Sequence, residues 1–331
     1  MNRDFKDVYK QDYSDSFKIP YRINWCGSYT DCLGKPAITS TIDKYMYFIF
    51  APSNNTDIIR VYSDEFEDIF EQRLEPINFR YGTWVDYVTA ALQSLTEVYN
   101  LDRGVTIYVQ ADLPSGLGLG SSAMFVTGII RAVAEVNELP LTNNELVELA
   151  YKAEHEFLNV PCGLMDFKAI QHTDGTWIID NAASKLGFDL PITNKQFDVM
   201  IAYDKHAQHK HLNNKDFNNA AALDGDAASR YLEYERTFVN EMTKIMNMKY
   251  DDDIQLALLG VYMLLCNKNL NEFLDSGTPY YFNNVQGVYG YKALGSGLKG
   301  SLFLLVNPGH QNYITETLNF YGLNVVLTKT L

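Results

Sequence analysis

Residues 114–122 are the segment of this sequence whose residue types and spacing best suit the binding of an anion. The segment reads PSGLGLGSS and separates a predicted strand from a predicted helix. Glycines allow the backbone to turn tightly and to approach a ligand closely, and the start of the following helix offers free N–H groups and the positive end of the helix dipole. Ser121 and Ser122 can donate hydroxyl hydrogen bonds or contact a phosphate-bound Mg²⁺. The segment therefore predicts a phosphate-binding turn.

Two familiar phosphate motifs are excluded at this turn. A Walker A loop needs a lysine after its last glycine, and a dinucleotide fingerprint needs a different spacing of its third glycine. A plain strand–helix connection stays open as the alternative, although three glycines and two serines within residues 116–122 exceed what such a connection requires. Elsewhere, His206, His209 and His211 lie in a polar segment without a completing carboxylate or thiolate set, which indicates a solvated loop rather than a metal site.

The elements that must position the turn form a mixed pattern. Segments rich in β-branched and aromatic residues predict strands, at 36–50, 58–63, 104–111, 177–180, 197–203, 301–306 and 323–328. Helical spacing of apolar residues predicts helices, at 84–99, around 126–133, at 146–157, within 223–275 and between the last two strands. Thr142 and Glu145 predict a capping box at the start of the third of these helices. The absence of a strict βαβ alternation predicts an α+β class, with a domain boundary near residue 190.

Composition limits the classes of partner. The chain has 331 residues, 47% of them hydrophobic, and a formal net charge of -14. This acidity argues against nucleic-acid binding through a basic surface, and it requires that local donors and a metal ion supply the attraction for any phosphorylated ligand. The four cysteines fit no metal module and predict free thiols in a reducing compartment. No apolar run reaches the length of a membrane span, so we expect a cytoplasmic protein without a membrane partner.

The turn resembles the central motif of the GHMP kinases, a superfamily that includes galactokinase and the homoserine, mevalonate and phosphomevalonate kinases. Its residues 114–123 read PSGLGLGSSA and are similar to PxGxGLGSSA at every fixed position. Residues 21–31 read YRINWCGSYTD and resemble the galactokinase segment GRVNLIGEHTD. Residues 290–300 read GYKALGSGLKG and resemble the C-terminal glycine-rich motif GAKLTGAGFGG. The three segments occur in the order that the superfamily has.

A fourth segment narrows the resemblance to galactokinases. Residues 153–166 read AEHEFLNVPCGLMD and are similar to AEHxFxGxPCGIMD, and Trp84 begins a W-x-x-Y-V segment of the same kind. The resemblance spans residue 18 to the C-terminus. It implies a two-lobed α+β fold, with an N-terminal domain (1–190) like domain 2 of ribosomal protein S5 and an α+β C-terminal domain (191–331). It also implies that ATP and a sugar bind between the two lobes, in a monomer or a homodimer.

The resemblance assigns roles to individual residues. Asp166 matches the carboxylate next to the reacting hydroxyl, where a carboxylate accepts or orients the proton of the attacking oxygen. Arg22 matches the arginine that steadies developing phosphoryl charge and keeps this carboxylate ionised. Asp31 matches a sugar-binding aspartate, and a carboxylate can accept hydrogen bonds from two neighbouring hydroxyls. The sugar site further includes Ser28, Tyr29 and Gly163.

The nucleotide site implied by the resemblance is the glycine-rich turn. Its residues are Pro114, Gly116, Gly118, Gly120, Ser121 and Ser122. Mg²⁺ would be held by Ser121 and by Glu154, with Glu156 as a rival to Glu154 on a different face of the helix. The glycines of residues 295–300 are expected to support the turn that closes behind the phosphates.

Several positions depart from the galactokinase pattern. Ser28 and Tyr29 stand where galactokinases have the Glu-His pair that helps hold the sugar, and Phe167 replaces a glutamine. Lys299 stands at a usual glycine, where it would either add a charge for phosphate or hinder loop closure. We expect an ATP-dependent sugar kinase acting at the anomeric hydroxyl. A heptose-7-phosphate kinase, suggested by the segment TIDKY at 41–45, and a non-catalytic sugar or ATP sensor are the alternatives.

Overall fold

The computed structural model describes most of the chain and confirms the α+β class. The described residues are 4–74, 77, 82–180, 189–193, 195–204, 226–249, 251–274, 285–295, 297 and 301–331. The polar segment 206–222 with its three histidines lies outside these residues, as does Lys299. No helix of the described residues is long and apolar enough to cross a membrane.

Helices occur where the apolar spacing predicts them and at two other, short segments. Their bounds are α1 Phe5–Tyr9, α2 Val85–Thr96, α3 Ser121–Val136, α4 Asn143–Lys152, α5 Met165–Ala169, α6 Asp226–Asn247, α7 Asp252–Leu274 and α8 Gln311–Phe320. The short helices α1 and α5 occur without a prediction. Short 3-10 helices lie at Asp31–Leu33 and Pro308–His310. The predicted helix at 146–157 is interrupted, because its last residues form a π-helical turn at Ala153–Phe157. The capping box is confirmed: the Thr142 N–H donates to Glu145 Oε2 at 2.8 Å, and the Glu145 N–H donates to Thr142 Oγ1 at 3.3 Å.

Strands occur at all the predicted segments and at four others. Their bounds are β1 Asp15–Cys26, β2 Ala37–Pro52, β3 Ile58–Ser63, β4 Asp68–Arg73, β5 Val105–Ala111, β6 Thr176–Ile179, β7 Leu190–Thr193, β8 Asp198–Asp204, β9 Val288–Ala293, β10 Leu302–Val306 and β11 Leu323–Lys329. The strands without a sequence prediction are β1, β4, β7 and β9. β1 contains Pro20 and lacks a period-two pattern, yet its residues from Pro20 to Cys26 are all buried. It matters most for function because it carries Arg22.

The chain divides into two compact units, each built from segments distant in sequence. The first comprises Met1–Tyr21, Lys44–Pro114 and Gly120–Cys162, and the second comprises Arg22–Asp43, Ser115–Leu119 and Gly163–Leu331. The strands β1 and β2 contribute residues to both. These units are defined by compactness rather than by position along the chain, and the predicted domains 1–190 and 191–331 stay a prediction.

In the first unit, a sheet carries the helix that follows the glycine-rich turn. Its strand order is β4-β3-β5 followed by the C-terminal part of β2; β3 and β5 are parallel, and the other pairs are antiparallel. The predicted apolar face of α3 is fully buried, with Val126, Ile129, Ile130 and Val133 each at 0% exposure. Because a Cβ at Gly128 would lie 2.0 Å from the Phe48 ring, α3 can lie against β2 only with a glycine at this position.

In the second unit, an antiparallel sheet of order β11-β8-β10-β9 is packed by helices. The strands β9 and β10 are antiparallel neighbours, and the third glycine-rich motif begins in β9. The first part of β2 pairs with β6 in the same unit. The long helix α7 lies so close to β9 that a Cβ at Gly260 would be 2.1 Å from the Tyr289 carbonyl oxygen. This packing buries Lys292 of β9 almost completely.

Candidate active site

The centre of the candidate site is a bidentate ion pair between Arg22 and Asp166. Arg22 projects from β1, and Asp166 lies in the first turn of α5. Arg22 Nε donates to Asp166 Oδ1 at 2.8 Å, and Arg22 Nη2 donates to Asp166 Oδ2 at 2.7 Å. A paired fork of this kind fixes both the position and the plane of the carboxylate. The structure therefore brings together the two residues that the sequence predicts as catalytic.

The burial of this pair differs between its two ends. The Arg22 side chain is 3% exposed, whereas the Asp166 side chain is 25% exposed. A guanidinium stays protonated even when it is buried. Asp166 thus faces solvent on one side and a permanently charged, fixed donor on the other, which is the setting of a carboxylate that can receive a ligand.

Arg22 also connects the carboxylate to the glycine-rich turn. Its Nη1 atom donates to the Gly118 carbonyl oxygen at 2.6 Å, and its backbone N–H donates to the Leu119 carbonyl oxygen at 3.3 Å. All of these atoms belong to the second unit. One side chain therefore sets the distance between the acidic group and the backbone predicted to bind phosphates.

The glycine-rich turn lies directly against the turn of the third motif. Gly118 and Gly295 both have positive φ, 77° and 56°. A Cβ at Gly118 would lie 2.6 Å from the Gly295 nitrogen, and a Cβ at Gly295 would lie 2.7 Å from the Gly118 Cα. The two backbones can approach this closely only because neither residue has a side chain. The expected support of the phosphate turn by the third motif is thus visible at Gly295, while Lys299 and Gly300 lie outside the described residues.

Asp31 and Gly163 form a second close approach in the same unit. A Cβ at Gly163 would lie 2.4 Å from the Asp31 carbonyl carbon and 2.7 Å from its Cγ. Burial, together with the nearby Asp166 carboxylate, raises the pKa of Asp31 to about 6, and Arg22 counteracts part of the shift. Asp166 therefore influences the charge of Asp31, and Gly163 leaves the room that Asp31 occupies.

Ser28 and Tyr29 are engaged with the protein interior. The Ser28 hydroxyl oxygen accepts a hydrogen bond from Lys292 Nζ at 2.7 Å. Tyr29 has a left-handed backbone with φ 61°, is 8% exposed in the core of the second unit, and its ring meets that of Phe273 edge-on at 6.2 Å. Their predicted contact with a sugar stays a prediction, but both side chains have structural partners.

In the first unit, the start of α3 offers the features of an anion site. Its N-cap residue, Gly120, has φ 83° and makes no side-chain capping hydrogen bond, and the first turn of α3 contains no acidic residue. The Ser122 hydroxyl donates to Glu154 Oε2 at 3.3 Å, and Glu154 is 2% exposed. Glu156, the rival to Glu154, is exposed. Glu154 is therefore the acidic residue that the fold places near the predicted phosphate turn.

These residues fit Mg²⁺ delivered with a nucleotide. Mg²⁺ prefers oxygen ligands and is usually bound by one or two carboxylates together with substrate phosphates and water. Glu154 supplies a buried carboxylate, and Ser122 places a hydroxyl oxygen beside it. Ser121, the predicted serine ligand, is the first residue of α3.

Comparison with known proteins identifies the fold. The family model "GHMP kinases N terminal domain" matches residues 86–172. The crystal structure of Lactococcus lactis galactokinase complexed with galactose superposes with a TM-score of 0.83, covering 98% of this chain and 96% of that chain at 18% identity. The chain has the GHMP kinase fold.

Galactokinases are among the curated relatives that the chain resembles. A galactokinase of Pyrococcus furiosus is 32% identical over 186 residues, which are 56% of this chain and 52% of that protein. A galactokinase of Streptococcus thermophilus is 27% identical over 314 residues, which are 94% of this chain and 77% of that protein. The chain thus spans about half the length of the first of these relatives and about three quarters of the second. The predicted resemblance of this chain to galactokinases is confirmed.

The sequence did not indicate two charged residues that lie near the candidate active site. Glu235 of α6 accepts the Gly27 N–H at 2.6 Å through Oε2, and Lys292 of β9 donates to Ser28. Glu235 lies in an amphipathic helix, where a glutamate predicts a solvated face, and Lys292 lies within the third glycine-rich motif. No spacing in the sequence indicates that either charge is buried.

Proposed function

We propose that this protein is an ATP-dependent kinase that transfers the γ-phosphoryl group of ATP to a hydroxyl of a sugar. The observation that carries the proposal is the bidentate Arg22–Asp166 pair, whose arginine also binds the Gly118 carbonyl oxygen of the phosphate turn. A fixed carboxylate beside a fixed cation and a glycine-rich turn suits phosphoryl transfer, which depends mainly on positioning and on charge stabilisation. The similarity to galactokinases supports a sugar as the acceptor.

Asp166 acts on the acceptor in this proposal. The sugar oxygen forms a bond to the γ-phosphorus while the bond from this phosphorus to the bridging oxygen of ATP breaks, and ADP leaves with that oxygen. The hydroxyl proton passes to Asp166, late in the step because a sugar hydroxyl is a weak acid. Before transfer, the carboxylate orients the hydroxyl. Arg22 holds both oxygens of Asp166 and stabilises the charge that develops on the transferred group.

The donor binds at the turn that precedes α3. Backbone N–H groups of residues 116–120 and of the first turn of α3, together with the Ser121 and Ser122 hydroxyls, bind the phosphates. Glu154 with Ser121 or Ser122 would hold a Mg²⁺ ion bound with the nucleotide, which would supply neutralisation of the phosphate charge. These local groups overcome the repulsion that a net charge of -14 exerts on ATP.

The acceptor is held by Asp31, whose carboxylate accepts hydrogen bonds from neighbouring sugar hydroxyls. Galactose and its C1 hydroxyl are the first candidates. Because Ser28 and Tyr29 replace the Glu-His pair of galactokinases, the sugar has to be identified by experiment. A phosphorylated heptose and a sensing role without turnover are the alternatives to be separated by experiment.

A coupled ADP-release assay with Mg·ATP tests the proposal. The acceptors are galactose, arabinose, N-acetylhexosamines, glucuronate and heptose 7-phosphate. Turnover with one free sugar supports a sugar kinase. Turnover with heptose 7-phosphate alone supports a heptose-7-phosphate kinase. Binding of ATP and of a sugar without ADP release would contradict catalysis and favour the sensor.

The affinity for the sugar is expected to depend on pH through Asp31. Burial raises the pKa of Asp31 to about 6, so below this pH the group is protonated and loses acceptor capacity. Sugar binding should therefore tighten as pH rises from 5 to 7. Calorimetric titration of the sugar without nucleotide measures this and avoids the ionisation of ATP. The Asp31→Asn variant should bind weakly at every pH; a wild-type affinity independent of pH would contradict the role of Asp31.

The Gly163→Ala substitution is expected to weaken sugar binding selectively. The added methyl group would lie 2.4 Å from the Asp31 carbonyl carbon, so Asp31 must move. A displacement near 1 Å can cost about 100-fold in catalysis, and we expect the sugar KM to rise by about 10- to 100-fold with the ATP KM unchanged. Steady-state kinetics in both substrates measures this.

Gly309→Ala is the matched control for this substitution. A Cβ at Gly309 would meet only the Asn307 side-chain oxygen, at 3.3 Å, and Gly309 is exposed. Its kinetics should equal those of the wild type. An equal change in both KM values of Gly163→Ala would show that the effect does not pass through Asp31.

A further inference from the structure

Two charged side chains lie buried beneath the loop that carries Asp31. We call residues 27–34 the Asp31 loop. Glu235 Oε2 of α6 accepts the Gly27 N–H at 2.6 Å, and Lys292 Nζ of β9 donates to Ser28 Oγ at 2.7 Å. Each of the two side chains is 1% exposed. Opposite charges from two different elements thus hold consecutive residues of one loop.

Burial of these charges requires compensation. An ion taken out of water is costly unless a partner charge and hydrogen bonds replace its hydration. Burial raises the pKa of Glu235 and lowers the pKa of Lys292, and each charge counteracts the shift of the other. Their hydrogen bonds to the loop are therefore part of what stabilises both charges in the interior.

Hydrogen bonds from uncharged side chains complete the attachment of the loop. Asn269 Nδ2 donates to Glu235 Oε1 at 3.0 Å, so both carboxylate oxygens are engaged. The Tyr231 hydroxyl donates to the Ser28 carbonyl oxygen at 2.5 Å. Within the loop, the Thr30 hydroxyl donates to the Gly27 carbonyl oxygen at 2.7 Å. The position of Gly27 is thus transmitted to Thr30, and Asp31 follows directly.

We propose that Glu235 and Lys292 are positioning residues that hold the Asp31 loop in the geometry that binds the sugar. Their burial leaves no surface that a sugar could contact, so they act through Gly27 and Ser28. In this arrangement Ser28 is an anchor of the loop and not a sugar ligand. The proposal rests on the proposed function only in naming the sugar as the ligand of Asp31.

Substitutions that remove one charge test the proposal. Glu235→Gln keeps the shape but offers one acceptor where two donors, from Gly27 and Asn269, must be satisfied. Lys292→Met keeps the length of the side chain and removes the donor to Ser28. Each is expected to raise the sugar KM about tenfold or more, while the ATP KM and kcat stay within about threefold. The double variant leaves no uncompensated buried charge and should lose less than the product of the single effects.

Three controls separate positioning from general destabilisation. Lys268→Met and Glu272→Gln remove the charges of an ion pair that lies on the surface of α7, with side chains 73% and 67% exposed, and should behave as the wild type. Ile314→Val trims a fully buried residue in the core of the second unit. It should lower the melting temperature without raising the sugar KM.

Hydrogen exchange measured by mass spectrometry gives a readout that does not need turnover. Peptides covering the Asp31 loop should exchange faster in Glu235→Gln and Lys292→Met than in the wild type and Ile314→Val, while the peptide covering 115–122 should not change. Unchanged exchange and unchanged sugar KM in both variants would overturn the positioning role. A wild type without kinase activity would overturn the proposed function, and the exchange results would still decide whether the buried charges hold the loop.

Discussion

Replacement of Asp166 by asparagine is expected to lower kcat about 1,000-fold, within the range that a positioned acid or base contributes to catalysis. Asparagine has nearly the same shape but cannot take the hydroxyl proton, and it leaves Arg22 facing a neutral amide. The dissociation constant of Mg·ATP should stay within about twofold, because the turn and α3 hold the phosphates. Single-turnover ADP formation and calorimetric binding of a non-hydrolysable ATP analogue measure the two quantities.

Asp198→Asn is the matched control for Asp166→Asn. The Asp198 side chain is 22% exposed, close to the 25% of Asp166. Asp198 Oδ1 lies 3.7 Å from Lys329 Nζ in the second unit. Its replacement should leave kcat unchanged. If Asp166→Asn also kept kcat within a few-fold of the wild type, Asp166 would not take part in the chemistry.

Replacement of Arg22 by lysine is expected to lower kcat about 100-fold, comparable with the loss of one fixed donor to transition-state charge. A lysine keeps the charge but cannot supply the planar fork that reaches both Asp166 oxygens and the Gly118 carbonyl oxygen together. Arg22→Met should lower kcat further, because it removes the buried cation altogether. Kinetics of the two variants with saturating sugar and ATP measure the difference.

The coupling between Arg22 and Asp166 distinguishes a shared catalytic role from two separate ones. Groups that act as a unit have strongly non-additive effects on rate, so Arg22→Met combined with Asp166→Asn should be little slower than Asp166→Asn alone. Arg131→Lys, at an ion pair with Glu135 on the surface of α3, is the control arginine. Multiplicative losses in the double variant would contradict a common role for the pair.

Features encoded by short spacing could be read from the chain. The phosphate turn at 114–122, the apolar face of α3 and the capping box of Thr142 all depend on residues within one or two helical turns of each other. The structure confirms the apolar face of α3 and the capping box, while the binding of phosphate by the turn stays a prediction. The strand β1, which contains Arg22, was not predicted because its buried residues follow no alternating pattern.

The arrangement of the candidate site depends on residues that are distant in sequence. Arg22 and Asp166 are separated by 144 positions, and Lys292 and Ser28 by 264. The sequence predicted the first pair only through its resemblance to a family, and it did not indicate the second. Local propensity cannot encode such pairs, since they form when the fold buries both partners and each buried polar group must find an acceptor or a donor.

The sequence by itself thus determined the class of fold and the glycine-rich turn before α3, and its resemblance to a family predicted the residues whose chemistry suits phosphoryl transfer. Only the tertiary structure decided that Arg22 joins Asp166 to Gly118, that Gly163 leaves room for Asp31, and that Glu235 and Lys292 lie beneath the Asp31 loop. The physical reason is that hydrogen-bond spacing along a helix or turn is a property of neighbouring residues. The pairing of buried charges is a property of packing, which brings distant segments into the same low-dielectric interior.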